Sequence, residues 1–218
     1  MTSRQWVAEF LGTGFLLAVV VGSGIMAERL AGGNGAVALL ANSLATGAGL
    51  IALILAFGPV SGAHFNPVVS LIEAGFGRLP RSAAAGYLAA QFAGAIAGVM
   101  AANAMFELPI VFVSQHARAG SAQMFSELLA TFGLATVILN CAKYRPDAVP
   151  YAVGAYISAA YWFTASTSFA NPAVTIARTL SDTFAGIRPA DAPGFIAAQA
   201  VGGLLAAMLH RWTAADPG

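Results

Sequence analysis

The sequence predicts an all-α membrane protein: six transmembrane helices plus two re-entrant half-helices arranged as an inverted repeat. Three observations lead there. The 218 residues are 58% hydrophobic and 9% charged, with a mean hydropathy of +0.76, whereas soluble domains carry about 25% charged residues. Long apolar stretches recur along the whole chain. One short phrase occurs twice, as Asn66-Pro67-Val68 after Ser61-Gly62-Ala63-His64-Phe65, and as Asn171-Pro172-Ala173 after Thr167-Ser168-Phe169-Ala170. Each copy pairs a strong helix N-cap with a proline at the first helical position, where the missing N–H costs nothing. The apolar stretches that follow, 68–77 and 174–183, are too short to cross a hydrocarbon core, which needs about 20 residues. Two such half-helices in so apolar a chain point to a pore built at the membrane midplane.

Six full spans can be marked. The first is 5–26, ending near Glu28-Arg29, and Gly32-Gly33-Asn34-Gly35 turns the chain into the second, 37–57. Gly58-Pro59 breaks that span and the first half-helix follows. Arg78-Leu79-Pro80-Arg81 leads into the third span, 82–105. Residues 107–120 are the most polar connection and read as the linker between halves. The fourth span is 123–141, followed by the charged turn Lys143-Tyr144-Arg145-Pro146-Asp147. The fifth is 149–163, and after the second half-helix the sixth is 193–212. The start, Met1-Thr2-Ser3-Arg4, leads into a span too long for a signal-peptide core, so it reads as a retained first helix.

The chain reads as one transmembrane domain, 1–218, with internal repeats of about 1–110 and 121–218. Ala8-Glu9-Phe10-Leu11-Gly12-Thr13 matches Ser126-Glu127-Leu128-Leu129-Ala130-Thr131, and Ala89-Ala90-Gln91 matches Ala197-Ala198-Gln199. The separations are 118 residues at the glutamates, 105 at the asparagines and 108 at the glutamines. Three spans per half is an odd number, so the second half enters the membrane upside down and the half-helices meet by their N-termini. With the N-terminus inside, the inner face holds Arg4, Arg78, Arg81, Lys143, Arg145 and Arg211, and the outer face holds Arg29, Arg118, Arg178 and Arg188. That bias places the termini in the cytoplasm. Trp6, Trp162 and Trp212 fall near span ends, as interface anchors should. Gly94, Gly98, Gly202 and Ala206 allow close helix crossings, within one bundle or between subunits.

The paired boxes resemble the aquaporin and aquaglyceroporin (major intrinsic protein) family, whose signature is two Asn-Pro-Ala boxes, and the resemblance covers nearly the whole chain. It implies a passive channel in the inner (plasma) membrane, a homotetramer with one pore per protomer, and no cofactor. In the family the stretches before the boxes present a ladder of carbonyl oxygens, here Gly62, Ala63, His64 and Phe65 in one loop and Ser166, Thr167 and Ser168 in the other. Family glutamates equivalent to Glu9 and Glu127 accept from backbone N–H groups of those loops. A proton relay is the alternative for two carboxylates inside apolar spans. Gln91 and Gln199 read as satisfied interhelical contacts. Facing half-helix dipoles make the midplane positive and oppose cations. The amides of Asn66 and Asn171 each offer two donors to a passing oxygen.

Other chemistries find little support. His64, His116 and His210 share no ligand spacing, so no metal site is expected, and Cys141 stands alone. A net charge of +1 argues against a nucleic-acid partner. The chain is therefore not expected to be an enzyme. A proton-coupled carrier or a membrane scaffold on the same fold remain the other classes.

The sequence departs from the family twice. Val68 stands where the first box has alanine. Val174 stands where water channels carry an arginine directly after the second box. The next arginine, Arg178, lies seven residues beyond Asn171, about 10 Å farther along a helix. It is expected to anchor loops near the outer surface, or else to reach back to the constriction. Thr46 falls where water-specific members carry a bulky aromatic, Ser168 is the loop contributor, and the fifth-helix position lies between Ala159 and Tyr161. Thr46, Ser168 and Val174 predict a mouth wider and less charged than a water-only filter. The expected solutes are glycerol-like polyols or arsenite and other neutral metalloid hydroxides, besides water, with a water-selective aquaporin as the alternative. Residues 167–175 look like bacterial members associated with arsenic resistance.

Overall fold

The computed structural model describes residues 3–214; the two terminal segments, and with them the expected positions of both chain ends, lie outside the described residues. The described chain is helical throughout, with no β-strand. Its elements are α1 (Ser3–Leu30), α2 (Gly35–Ser61), α3 (Pro67–Gly75), α4 (Arg81–Met105), α5 (Ser121–Tyr144), α6 (Val149–Phe163), α7 (Pro172–Arg178) and α8 (Ala192–Ala214). Five of these, α1, α2, α4, α5 and α8, are long and apolar enough to cross a membrane. The sixth span is α6, at 15 residues, lengthened by a 3-10 turn at Pro146–Ala148.

Most boundaries fall within a few residues of those expected, with two corrections. Pro59 does not end α2. The helix continues to Ser61 and stops at Gly62, which is left-handed and donates its N–H to Gly58. A proline in the last turn removes only one hydrogen bond, and the following turn can still form. The second half-helix is shorter than the expected 174–183. It ends at Arg178, after which the chain folds back irregularly and pairs with the linker, through Phe112 N–H to the Leu180 carbonyl at 3.0 Å and Ser114 N–H to the Thr179 carbonyl at 2.9 Å.

The two halves repeat one packing scheme. α1 packs along α4 and α5 along α8, with α2 against α6 joining the halves. Both intra-half crossings are set by glycine. A Cβ on Gly94 would sit 2.1 Å from the Phe10 carbonyl oxygen, and one on Gly202 would sit 2.4 Å from that of Leu128. Phe10 and Leu128 hold equivalent places in the repeat, as do Gly94 and Gly202. These glycines therefore serve packing within one bundle, not a face between subunits. Val68 is accommodated the same way: a Cβ on Gly203 of α8 would meet its Cγ1 at 2.3 Å.

Backbone oxygens cannot move aside without shifting a helix. Gly94→Ala and Gly202→Ala are each expected to destabilise the protein by about 1–3 kcal/mol through overpacking, measured as a lower unfolding midpoint in detergent, whereas alanine at the open Gly75 leaves the midpoint unchanged.

Candidate functional site

Two loops meet at the centre of the bundle. Asn66 and Asn171 cap α3 and α7 from extended backbone. The Asn66 Oδ1 accepts from Val68 N–H at 3.0 Å, and the Asn171 Oδ1 accepts from Ala173 and Val174 N–H at 2.9 and 3.3 Å. Their amide nitrogens then cross over. Asn66 Nδ2 donates to the Ala170 carbonyl at 2.7 Å, and Asn171 Nδ2 donates to the Phe65 carbonyl at 2.7 Å. Each loop is thus pinned by the other's asparagine. Of the two N–H donors on each amide, one is spent on this closure and one remains.

Ahead of each asparagine three of the four residues are left-handed, Gly62, Ala63 and Phe65 in one loop and Thr167, Ser168 and Ala170 in the other. Ala63 and Phe65 have φ of 50° and 49°, and their equivalents Ser168 and Ala170 have 52° and 49°. A non-glycine residue held there costs of order 1–2 kcal/mol. Two buried carboxylates offset that cost. Glu9 accepts from His64 and Phe65 N–H at 3.0 and 2.8 Å, from Ser61 Oγ at 2.6 Å and from Gln91 Nε2 at 2.8 Å. Glu127 accepts from Phe169 and Ala170 N–H, both at 2.8 Å, and from Gln199 Nε2 at 2.6 Å. Hydrogen bonds to a charged acceptor contribute about 1.5–3 kcal/mol each, enough to hold the strained backbone. The glutamines complete the brackets: Gln91 Nε2 also donates to Ser70 Oγ at 2.8 Å, and Gln199 Nε2 to Thr175 Oγ1 at 2.9 Å.

Past these loops runs a cavity of about 260 Å³, reaching from Glu73 of α3 to Arg178 of α7. Its far walls are apolar and repeat-related, Leu16 and Val20 of α1 facing Leu134 and Ile138 of α5, with Val149, Val153 and Ile157 along α6. The near wall carries Gly62, Ala63, His64, Phe65, Asn66, Ser168, Phe169 and Asn171. Glu9, Glu127, Gln91 and Gln199 lie behind this wall and do not line the cavity, a position that suits support and not proton relay.

The expected site residues divide as follows. Thr46, Tyr161, Ser168 and Val174 all line one end of the cavity, and Thr46 Oγ1 and the Tyr161 hydroxyl are 3.1 Å apart. Ala159 is exposed on the outside of α6 and is not on the cavity wall, whereas Tyr161 brings an aromatic ring to it. Ser166 and Thr167 are absent from the cavity wall. The Ser166 carbonyl is taken instead by Arg118 Nη1 at 3.2 Å. Pro67, Pro172, Val68 and Ala173 start the half-helices behind the asparagines.

Arg178 corrects the expectation of a loop anchor at the surface. It is 1% exposed and lines the cavity, its guanidinium carbon 3.4 Å from the centre of the Phe169 ring and its Nε donating to the Ala185 carbonyl. Helical spacing carries the signal for this: Asn171, Val174 and Arg178 follow i, i+3, i+7 and share a face. Asn66, Val69 and Glu73 follow the same spacing, and these also line the cavity. Arg118 has no such signal, because a linker residue has no periodicity. It is 8% exposed and donates to the carbonyls of Gly186, Ser166 and Phe184. Nearby in the linker, burial first, and then the charges of Arg118 and Arg178, push the His116 imidazole below its usual 6.5.

A model of the family described as Major intrinsic protein matches residues 1–160. Aquaglyceroporin AqpS of Rhizobium meliloti (strain 1021) is 55% identical over 210 residues, covering 96% of this chain and 90% of that protein. The chain belongs to the major intrinsic protein family. Aquaporin Z of Bradyrhizobium diazoefficiens is 27% identical, over 100% of this chain and 96% of its own. In three dimensions the chain matches the X-ray structure of the aquaglyceroporin from Plasmodium falciparum with a TM-score of 0.72 at 22% identity, over 95% of this chain and 94% of that one. The fold of this family member is thus the aquaporin fold, a multi-pass membrane architecture.

Replacing one carboxylate oxygen by a donor tests the bracket. Glu127→Gln sets an amide against the N–H groups of Phe169 and Ala170 or the Gln199 amide, and is expected to cost about 1–3 kcal/mol for the unsatisfied buried donor. The measurement is the unfolding midpoint in detergent, and Glu9→Gln should fall by a similar amount.

Proposed function

We propose that the protein is a passive membrane channel of the aquaglyceroporin type, conducting small neutral hydroxylated solutes together with water. What carries the reading is the continuous cavity that runs past both asparagine caps with one apolar wall and one polar wall. A neutral solute presents its hydroxyls to the carbonyl side and its carbon face to Leu16, Val20, Leu134 and Ile138. At the centre the free N–H of Asn66 and that of Asn171 donate to the same passing oxygen. An oxygen that accepts from both is turned so that it cannot relay a proton to the next molecule. The N-terminal ends of α3 and α7 add positive potential there.

Glycerol-like polyols and arsenite or related metalloid hydroxides are the proposed solutes, the name borne by the Rhizobium relative supporting the first. Val174 and Thr46 leave room at the mouth for a solute larger than water. Tyr161 and Arg178 on the same wall favour the second reading, a water-selective pore. In this proposal the protein resides in the bacterial inner membrane as a homotetramer, with cytoplasmic termini and no catalytic function.

Stopped-flow light scattering of proteoliposomes separates the two readings. Fast shrinkage in sorbitol with fast re-swelling in glycerol is expected, followed by arsenite uptake above protein-free vesicles. Val174→Arg should slow glycerol entry about tenfold or more, a barrier rise of about 1.4 kcal/mol, while water still passes. Fast shrinkage with no glycerol entry would assign the protein as a water channel.

A further inference from the structure

Among the described residues, one carboxylate lines the cavity, that of Glu73. It stands two turns along α3 from Asn66, about 10 Å away on the helix, at the end opposite Arg178. Its neighbours in a small recess are Val69, Ile72, Ala135, Ile138 and Leu139, all apolar. Glu73 takes no part in holding the asparagine loops, a task that falls to Glu9 and Glu127. Its own place is fixed by the turn that follows α3. Arg78 donates from Nε to one carboxylate oxygen at 2.6 Å and from Nη2 to the other at 2.7 Å. The N–H groups of Arg78 and Leu79 close on the Glu73 carbonyl at 2.9 and 3.1 Å. Arg78 lies over the Phe76 ring, 4.7 Å from its centre, and Arg211 of α8 lies 5.2 Å from the same centre. The turn is thus clamped to α8. The Glu73 side chain is 14% exposed and that of Arg78 45%, so the carboxylate is the inward member of the pair and the guanidinium the outward one.

We propose that the Glu73–Arg78 pair forms a solute-binding subsite at this end of the cavity, where the carboxylate accepts the O–H groups of a small neutral polyhydroxy solute. This inference rests on the channel reading. An ionised carboxylate has about four acceptor sites and donates nothing. Arg78 takes one on each oxygen, so each oxygen keeps another. The guanidinium also offsets the negative charge, and the pair presents acceptors with little net charge. Near the asparagines the loop carbonyls accept from a solute. Beyond them Leu16, Leu134 and Ile138 offer no acceptor. A water molecule there is met by other waters. A polyol fills that space with its own carbon body, so its hydroxyls need a partner on the wall, and a hydroxyl left unmet away from water is costly. Glu73 therefore lowers the barrier for a hydroxylated solute more than for water.

Stopped-flow measurements of water and glycerol permeability on proteoliposomes of wild type, Glu73→Leu and Arg78→Gln test the subsite, each protein first showing a cooperative unfolding transition in detergent. Glu73→Leu is expected to lower the ratio of glycerol to water permeability about tenfold, with water flux within about twofold of wild type. Arg78→Gln breaks the ion pair but leaves the carboxylate, so the ratio stays at its wild-type value. A pair that only braces the turn would respond alike to both substitutions, because either one breaks it. A ratio unmoved by Glu73→Leu, or lowered equally by both variants, overturns the inference and leaves the channel reading intact. Should either variant fail to fold, Glu73→Met and Arg78→Ala take their places. A wild type that passes no glycerol overturns the reading on which the inference rests.

Discussion

Irregular backbone at membrane depth is the constraint on which the rest of this structure depends. Its N–H groups have no water to bond to and must be met from within the protein. Glu9 and Glu127 meet that demand, each presenting a carboxylate to two consecutive loop amides. A carboxylate is the side chain suited to this, since both oxygens accept and neither donates. Placing it in an apolar helix is costly, and the cost is met only because four donors surround Glu9 and three surround Glu127. The same saturation leaves neither glutamate free to pass a proton along the cavity. Among the described residues the Thr13 and Thr131 hydroxyls, and the Oε1 atoms of Gln91 and Gln199, lack partners in repeat-related pairs.

Once the loops are held, the asparagines close the centre. Each uses its oxygen on its own half-helix and one N–H on the opposite loop, so the halves are joined by two 2.7 Å bonds at the point where α3 and α7 meet. That exchange fixes how many donors remain for a solute, one per asparagine. It also binds the two loops into one unit: a change that shifts Phe65 or Ala170 moves the acceptor on which the other loop's asparagine depends.

The two ends of the cavity then differ although their geometry repeats. The same helical face that carries Val69 and Glu73 in one half carries Val174 and Arg178 in the other. Glu73 has Arg78 five residues ahead in the turn that follows α3. After α7 the chain instead folds back through 179–188 and returns carbonyls, with Ala185 beside Arg178 and Phe184 and Gly186 beside Arg118. Backbone symmetry is thus joined to a difference in side-chain charge, with Glu73 paired to Arg78 at one end of the cavity and Arg178 at the other.

Much of this was legible in the chain itself. Long apolar runs can satisfy their backbone only as helices, a proline after asparagine starts a helix at a defined residue, and duplicated Glu, Gln and Asn-Pro positions reveal the repeat. The first two are local properties, which is why the spans and the half-helices could be read in order; the role of the glutamates was read from the family resemblance. The mouth could not. Tyr161 was one of two positions a loop of unknown length left open, and its burial against the cavity beside Thr46, with Ala159 exposed outside α6, separates the two. Arg178 had the right helical spacing, but whether a long side chain points into a cavity or over a surface depends on what packs against it, here Phe169 and Ala185. Arg118 lies on a linker without periodicity and reaches its partners across 48 to 68 residues of sequence. The sequence by itself determined the helices and the short half-helices between them; the tertiary structure alone decided that Arg178 faces the cavity, because its side chain is placed by contacts with Phe169 and Ala185 outside its own helix.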